Sequence, residues 1–198
     1  MASDAVTLIK NDHRVMERLF DQMKSRKGDR AALLKECVAR LSAHSWAEEE
    51  RVYPAIVKAD PPEQGEVYHG VEEHHEAEQL MHKLEEMDPK SAEFESTLDE
   101  FIEAVKHHVE EEETKILPAL TKSVGADRLV ELGAAFEERR LAVLTEHGFL
   151  DGPPGQGGAG TSADMSKEEL YEQAKEADVP GRSKMTKEEL AEAVRKAG

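Results

Sequence analysis

Apolar side chains recur along most of the chain at alternating spacings of four and three, the period of a helix that buries one stripe. The first stripe reads Ile9, His13, Met16, Phe20 and predicts a helix over about 5–26, capped by Ser3 or Asp4. Lys27-Gly28-Asp29 stops it and Asp29 caps the next, over about 30–59, with the stripe Leu34, Cys37, Leu41, His44, Glu48, Val52. Pro54 removes a helical hydrogen bond and is expected to kink the last turn. Asp60-Pro61-Pro62-Glu63 breaks the pattern and starts a third helix to about Met87, striped by Val67, Val71, position 74, Leu80 or Met81, and Leu84. A fourth runs from Ser91 to about Ser123 with Phe94, Leu98, Phe101, Val105, His108, Glu112, Ile116 or Lys115, and Ala119. A fifth, roughly Ala126 to Glu146, carries Leu129, Leu132, Phe136, Leu141 and Leu144 and is expected to pack on the outside. The fold class is therefore all-α, an up-down four-helix bundle with an extra helix.

Polar residues interrupt these stripes at matching depth. His44 and Glu48 stand four apart, as do His108 and Glu112, so each pair shares one helix face. The two pairs belong to a repeat: His44, Glu48 and Pro54 recur as His108, Glu112 and Pro118 at a constant offset of 64. The stripes also choose between adjacent histidines. Position 74 lies on the apolar seam and His75 on a polar row; His108 lies on the seam and His107 on the row of Glu100, Ala104, Glu111 and Thr114. Six residues then face the bundle interior: His13, His44, Glu48, His74, His108 and Glu112. Two buried carboxylates without partners would each cost several kcal/mol or become neutral. Four imidazoles and two carboxylates instead suit two first-row metal ions, iron foremost, with zinc or manganese chemically allowed. Glu78, four residues after His74, is a candidate seventh ligand. The other glutamates of the runs 48–50 and 111–113 read as solvated faces; His69, His75, His82, His107 and His147 read as surface residues, and Cys37 as core.

The 198 residues carry a net charge of −17, which argues against nucleic-acid binding by the whole molecule, since phosphate contact needs clustered Lys and Arg. A single cysteine excludes an intrachain disulfide framework. The opening Met-Ala-Ser-Asp-Ala-Val lacks the basic-then-apolar pattern of a signal peptide, and no apolar run approaches a membrane span, so a cytoplasmic location is expected.

After the fifth helix the composition changes. Gly-Pro-Pro-Gly-Gln-Gly-Gly-Ala-Gly predicts a flexible linker. Beyond it, Ser166-Lys167-Glu168-Glu169-Leu170 and Thr186-Lys187-Glu188-Glu189-Leu190 are two capping boxes, each opening a helix, separated by Val179-Pro180-Gly181-Arg182-Ser183. The expected layout is a bundle at 1–147, a linker at 148–163 and a helix-extended-helix tail at 164–198. That tail has seven basic against nine acidic residues, with Arg182, Lys184 and Lys187 clustered at the turn.

The order His, His-x3-Glu, His, His-x3-Glu, with a proline after each paired motif, resembles the hemerythrin-like HHE cation-binding family over about residues 5–123. The resemblance implies an up-down bundle holding a non-haem di-iron centre with bridging carboxylates and an oxo or hydroxo bridge. Carried onto this chain, the ligands are His13, His44, Glu48, His74, His108 and Glu112. Oxygen-carrying hemerythrin proper differs, having a second histidine where this chain has Glu78 and a differently spaced acidic residue on the last helix. The family implies handling of dioxygen, nitric oxide or peroxide in oxidative or nitrosative stress, with catalase-like peroxide breakdown as an enzymatic alternative. The tail is similar to the Rho termination factor N-terminal-like module, which implies a nucleic-acid or protein partner through 164–198.

Overall fold

Capping residues set the start of each rod. In the computed structural model, which describes residues 3–25, 29–149 and, in the tail, 185–187, 189–190 and 193, helix α1 (Ala5–Lys24) opens on Asp4, whose side chain accepts from the Thr7 amide. Helix α2 (Arg30–Ala47) opens on Asp29, which accepts from the Ala31 and Ala32 amides. Short helix α3 (Tyr53–Ala59) continues α2, and α4 (Gln64–Glu86) comes after one 3₁₀ turn at Pro61–Glu63. Helix α5 (Ala92–Glu111), capped by Ser91 onto Phe94, is continued by α6 (Leu117–Ser123), and α7 (Ala126–Glu146) closes the bundle. All regular structure among the described residues is helical, as the periodicity predicts. None of these helices is long and apolar enough to cross a membrane.

The kink expected at Pro54 takes a specific form. A π-helical turn, Glu48–Val52, joins α2 to α3, and its counterpart Glu112–Ile116 joins α5 to α6. The Tyr53 amide donates to the Glu48 carbonyl and the Leu117 amide to the Glu112 carbonyl, five residues back in each case. Proline has no N–H and its ring collides with the carbonyl four residues earlier, so widening the preceding turn relieves both. The extra residue rotates the downstream helix. Past Glu112 the buried positions are Ile116, Leu117 and Leu120, not Lys115 or the expected Ala119. Past Glu48 they are Val52, Tyr53 and Ile56.

Apolar side chains fill the bundle on both sides of a polar layer. One cluster gathers Met16, Phe20, Leu41, Met81, Phe101 and Val105, with the Phe20 and Phe101 rings edge to face at 5.6 Å. The other gathers Ile9, Val52, Ile56, Val67, Ile116 and Phe136. On α1, α2, α4 and α5 the inward histidine stands between members of these two clusters, so the imidazoles are held in a slab bounded above and below by dry packing.

Helix α7 packs against α1 and α2. Its buried stripe is Leu132, Phe136, Arg140, Val143 and Leu144, whereas the expected Leu141 is exposed. Gly133 lets the helix approach: a Cβ there would stand 2.4 Å from the Ser3 carbonyl oxygen, which is backbone and cannot swing away. The Arg139 guanidinium grips both oxygens of Glu50, at 2.9 and 3.0 Å.

The chain divides into two compact units, Met1–Asp151 and Gly152–Gly198. The linker and the first tail helix lie outside the described residues. The second capping box is formed: the Glu189 amide donates to Thr186 Oγ1 at 3.2 Å and the Thr186 amide to Glu189 Oε2 at 2.7 Å.

Candidate metal centre

All six residues selected by the stripes are buried and converge in the slab. Two groups form. His13, His44, Glu48 and Glu112 bring ligand atoms together at one point, and Glu48, His74 and His108 do so at another. Glu48 belongs to both, the position a bridging carboxylate takes between two cations. His13 Nε2 lies 3.0 Å from Glu112 Oε2, and Glu48 Oε2 lies 3.3 Å from His44 Nε2 and 3.4 Å from His74 Nε2. The Nε2 atoms of His74 and His108 face each other at 3.0 Å.

The imidazole–carboxylate approaches among these are close yet poorly aligned as hydrogen bonds. Nε2 of His13 and His44 and all four carboxylate oxygens of Glu48 and Glu112 are buried without a hydrogen-bond partner. Each such group costs about 1–3 kcal/mol, and a native interior rarely tolerates several together. Side chains that crowd at near-contact distance but aim past one another are aiming at common third points. The donor set, imidazole with carboxylate, fits first-row divalent and trivalent cations.

The outer nitrogens of three imidazoles hydrogen-bond to carboxylates, and that of His44 faces one just beyond hydrogen-bond reach. His13 Nδ1 lies 2.9 Å from Glu113 Oε1, His74 Nδ1 lies 2.8 Å from Glu49 Oε1, and His108 Nδ1 lies 2.8 Å from Glu73 Oε2. His44 Nδ1 is 3.6 Å from Asp12 Oδ2, and Asp12 Oδ1 accepts from Arg140 at 3.0 Å. A carboxylate behind a metal-binding histidine fixes the tautomer and ring orientation and raises the basicity of the inner nitrogen. Glu49 and Glu113, read from sequence as solvated, are thus turned onto the centre. Asp12 and Glu73 carry no stripe signal, and Arg140 falls on the α7 stripe as a charge. What marks the acids is adjacency: Asp12-His13 and Glu73-His74 precede the ligand, Glu48-Glu49 and Glu112-Glu113 succeed it.

Glu78 stands apart. It is half-exposed, turns toward His82 at 3.9 Å, and joins neither group. His75, His82 and His107 are exposed as expected, and Cys37 is core.

Burial and charge divide the groups electrostatically. Burial lowers His74 to about 4 and also lowers His44, against the pull of Glu49 and Asp12 respectively, so both rings are neutral and free to bind a metal. Burial likewise works against the charged form of His13, but Glu112 and Glu113 outweigh it and raise the ring above its ordinary value. Glu48 is pushed well up by burial and by the charge of Glu112. Glu112 is itself desolvated, yet the surrounding imidazoles, His13 first, hold it down at about 2. Two carboxylates competing for one proton in a dry slab is the condition that a pair of cations would relieve.

Tyr53, the first residue past the π turn, stacks on His74 with ring centroids 5.9 Å apart. Its hydroxyl is buried without a partner, and burial with the nearby acids keeps it protonated. Gly70 faces it; a Cβ there would lie 3.2 Å from that oxygen. A cleft of ≈ 340 Å³ between α1 and α5 reaches His13, lined by Met16, Phe20, Val105, Val109 and Glu113.

A four-helix bundle with a fifth helix, whose polar interior is two histidine and glutamate clusters, defines a metal-binding helical protein. The chain belongs to the hemerythrin HHE cation binding domain family, whose profile matches residues 4–120. Residues 163–198 match the Rho termination factor N-terminal domain. An uncharacterised hemerythrin-like protein of Schizosaccharomyces pombe is 28% identical over 146 residues, 72% of this chain and 70% of that protein. The crystal structure of a hemerythrin HHE cation binding domain-containing protein from Mycobacterium kansasii superposes with a TM-score of 0.63, covering 79% of this chain and 96% of that one at 22% identity.

Proposed function

We propose that the slab holds two iron ions and that the protein binds dioxygen, nitric oxide or peroxide there, in a response to oxidative or nitrosative stress. The observation that carries this reading is Glu48, shared by two ligand groups whose four imidazoles are each backed by a carboxylate. Iron pairs supply reversible electron transfer and open positions for small oxygen- or nitrogen-centred ligands. The chain's own part is to orient and to exclude. The carboxylates behind the rings fix which nitrogen faces inward, and the two apolar clusters keep bulk water out. Tyr53, a protonated hydroxyl with no protein partner on a ring stacked against His74, would donate a hydrogen bond to what the centre holds.

Metal analysis with the optical spectrum of the purified protein tests this. About two irons per chain and near-ultraviolet ligand-to-metal bands are expected; stoichiometric zinc with featureless absorption would overturn it. Oxygen evolution from peroxide above that of free iron would place the protein among catalase-like enzymes instead of carriers or sensors.

The match of residues 163–198 to the Rho termination factor N-terminal domain favours a second, separable role. The tail would engage nucleic acid weakly through Arg182, Lys184 and Lys187. A gel shift at low salt, lost when the chain ends at Gly155, supports it, and no shift at low salt removes it.

A further inference from the structure

We propose a third metal site, for a single divalent first-row cation, on the outer face of α4 and α5. Two further His-x3-Glu pairs, His69-x3-Glu73 on α4 and His107-x3-Glu111 on α5, stand on these neighbouring helices. The two pairs meet across the helix interface, one step round from the buried ligands. His69 Nε2 lies 3.8 Å from Glu73 Oε1 and 3.5 Å from Glu111 Oε2. His107 Nε2 approaches the same two carboxylates, at 3.7 Å from Glu73 Oε1 and 4.0 Å from Glu111 Oε1. Ligand atoms bound tetrahedrally at zinc distances stand about 3.3 Å apart, so these gaps close with small side-chain rotations.

Glu73 is what separates this cluster from ordinary surface charge. Its side chain is only 10% exposed, and Oε1 is buried, has no hydrogen-bond partner and points at the two imidazoles. An unpaired buried carboxylate oxygen aimed at exposed histidines is stabilised by a cation bound among them. Lys115 takes Glu111 Oε1 at 2.7 Å but leaves Oε2 turned toward His69. Mixed imidazole and carboxylate ligands select zinc, cobalt, copper or ferrous iron over calcium and magnesium, which prefer all-oxygen shells.

The site is joined to the buried centre through one residue. Glu73 Oε2 holds His108 Nδ1 at 2.8 Å while Oε1 serves the surface cluster. A cation outside therefore draws on the carboxylate that orients an inner ligand. The surface site rests on His69, Glu73 and Glu111, whose ligand atoms lie within 4.8 Å of one another, with His107 beside them, and is inferred without reference to what the buried centre contains.

The test uses the full chain as purified. Its metal content is measured first and reports the buried centre separately. Cobalt(II) is then titrated, tracked by its visible ligand-field bands, with zinc(II) tracked by calorimetry. One further equivalent is expected. His69→Ala and Glu111→Gln should each lose that equivalent with unchanged purified-metal content and helical circular dichroism, while His82→Ala, an exposed histidine beside Glu78 and Glu85, keeps it. Absence of the extra equivalent in the wild type, its retention in the His69→Ala/His107→Ala double variant, or its equal loss in His82→Ala would each overturn the proposal.

Discussion

Glu113 Oε1 stands 2.9 Å from His13 Nδ1, while the preceding residue, Glu112, places Oε2 3.0 Å from the other nitrogen of the same ring. Consecutive glutamates thus flank one imidazole on both sides; in the proposed centre Glu113 would orient the ring and Glu112 would share its metal. Glu113→Gln removes the charge and leaves the shape. Metal affinity should fall about 10–100-fold, whereas Glu110→Gln, on the exposed face, should leave it unchanged. Equal affinities for the two variants by competition with a chelator would remove the orienting role from Glu113.

His108 and His107 are neighbours in sequence and opposites in environment, one in the slab and one in solvent. His108→Ala and Glu112→Ala should purify with depleted metal. His107→Ala should retain the buried metal in full. Iron loss in His107→Ala alone would reverse the assignment of the helix face.

Most of the bundle and its six inward histidines and glutamates is legible in the chain. Helical periodicity locates five rods, and the seam separates His74 from His75 and His108 from His107, because a residue's face is set by its register alone. The register fails where the backbone departs from 3.6 residues per turn. The π turns before Pro54 and Pro118 carry an extra residue, so Leu120 is buried where the period points to Ala119. The carboxylates behind the rings are hidden for a different reason. Asp12, Glu49, Glu73 and Glu113 each lie beside a ligand on their own helix but serve a ring on another, and a stripe reports only the residues on its own face. Arg140 is hidden because a buried charge on an apolar stripe reads as solvent-facing until its partner, Asp12, is known.

Arg140 donates to Asp12 at 3.0 Å, and Asp12 in turn faces His44, so the fifth helix reaches the centre through two side chains. Arg140→Met keeps the packing volume and strands Asp12. A fully buried broken pair costs about 3–5 kcal/mol; with Asp12 slightly exposed, about 2–3 kcal/mol is expected in urea unfolding. Metal bound by His44 should weaken as well. Unchanged stability and affinity would reduce α7 to a passive cover.

The metal-free protein should be least stable at both ends of the pH range. His74 stays neutral in the fold to about 4, while the unfolded chain protonates it near 6.5. Across that window the unfolded state binds more protons, so stability falls as pH drops, by at most about 3 kcal/mol. Glu48 and His13 have the opposite sign: both are raised in the fold, and the stability of their protonated forms is lost as pH rises. Urea midpoints of the chelated protein from about pH 4 to about pH 9 check the curve; a flat profile would contradict it, and metal loading should flatten it by neutralising the carboxylates.

Tyr53→Phe removes a buried hydroxyl that has no protein partner, so stability should hold or rise slightly. Metal content should be unchanged. Dissociation of nitric oxide or azide from the loaded centre should quicken about 5–10-fold, the worth of one hydrogen bond. An identical dissociation rate would leave the hydroxyl without a function.

The centre also acts on the chain as a whole. His13 and Glu112 are 99 positions apart, and each ligand group mixes residues from distant parts of the sequence. A metal ion joining them would be a cross-link over a long loop, in a protein whose single cysteine forbids an internal disulfide. Closing a loop of that size lowers the entropy of the open chain by an amount worth about 4–5 kcal/mol in the disulfide case. Amide hydrogen exchange of α1 and α5 with and without metal would measure it. During synthesis that cross-link can form only once Glu112, just past α5, has emerged, so α1 would be pinned only after most of the bundle has been made.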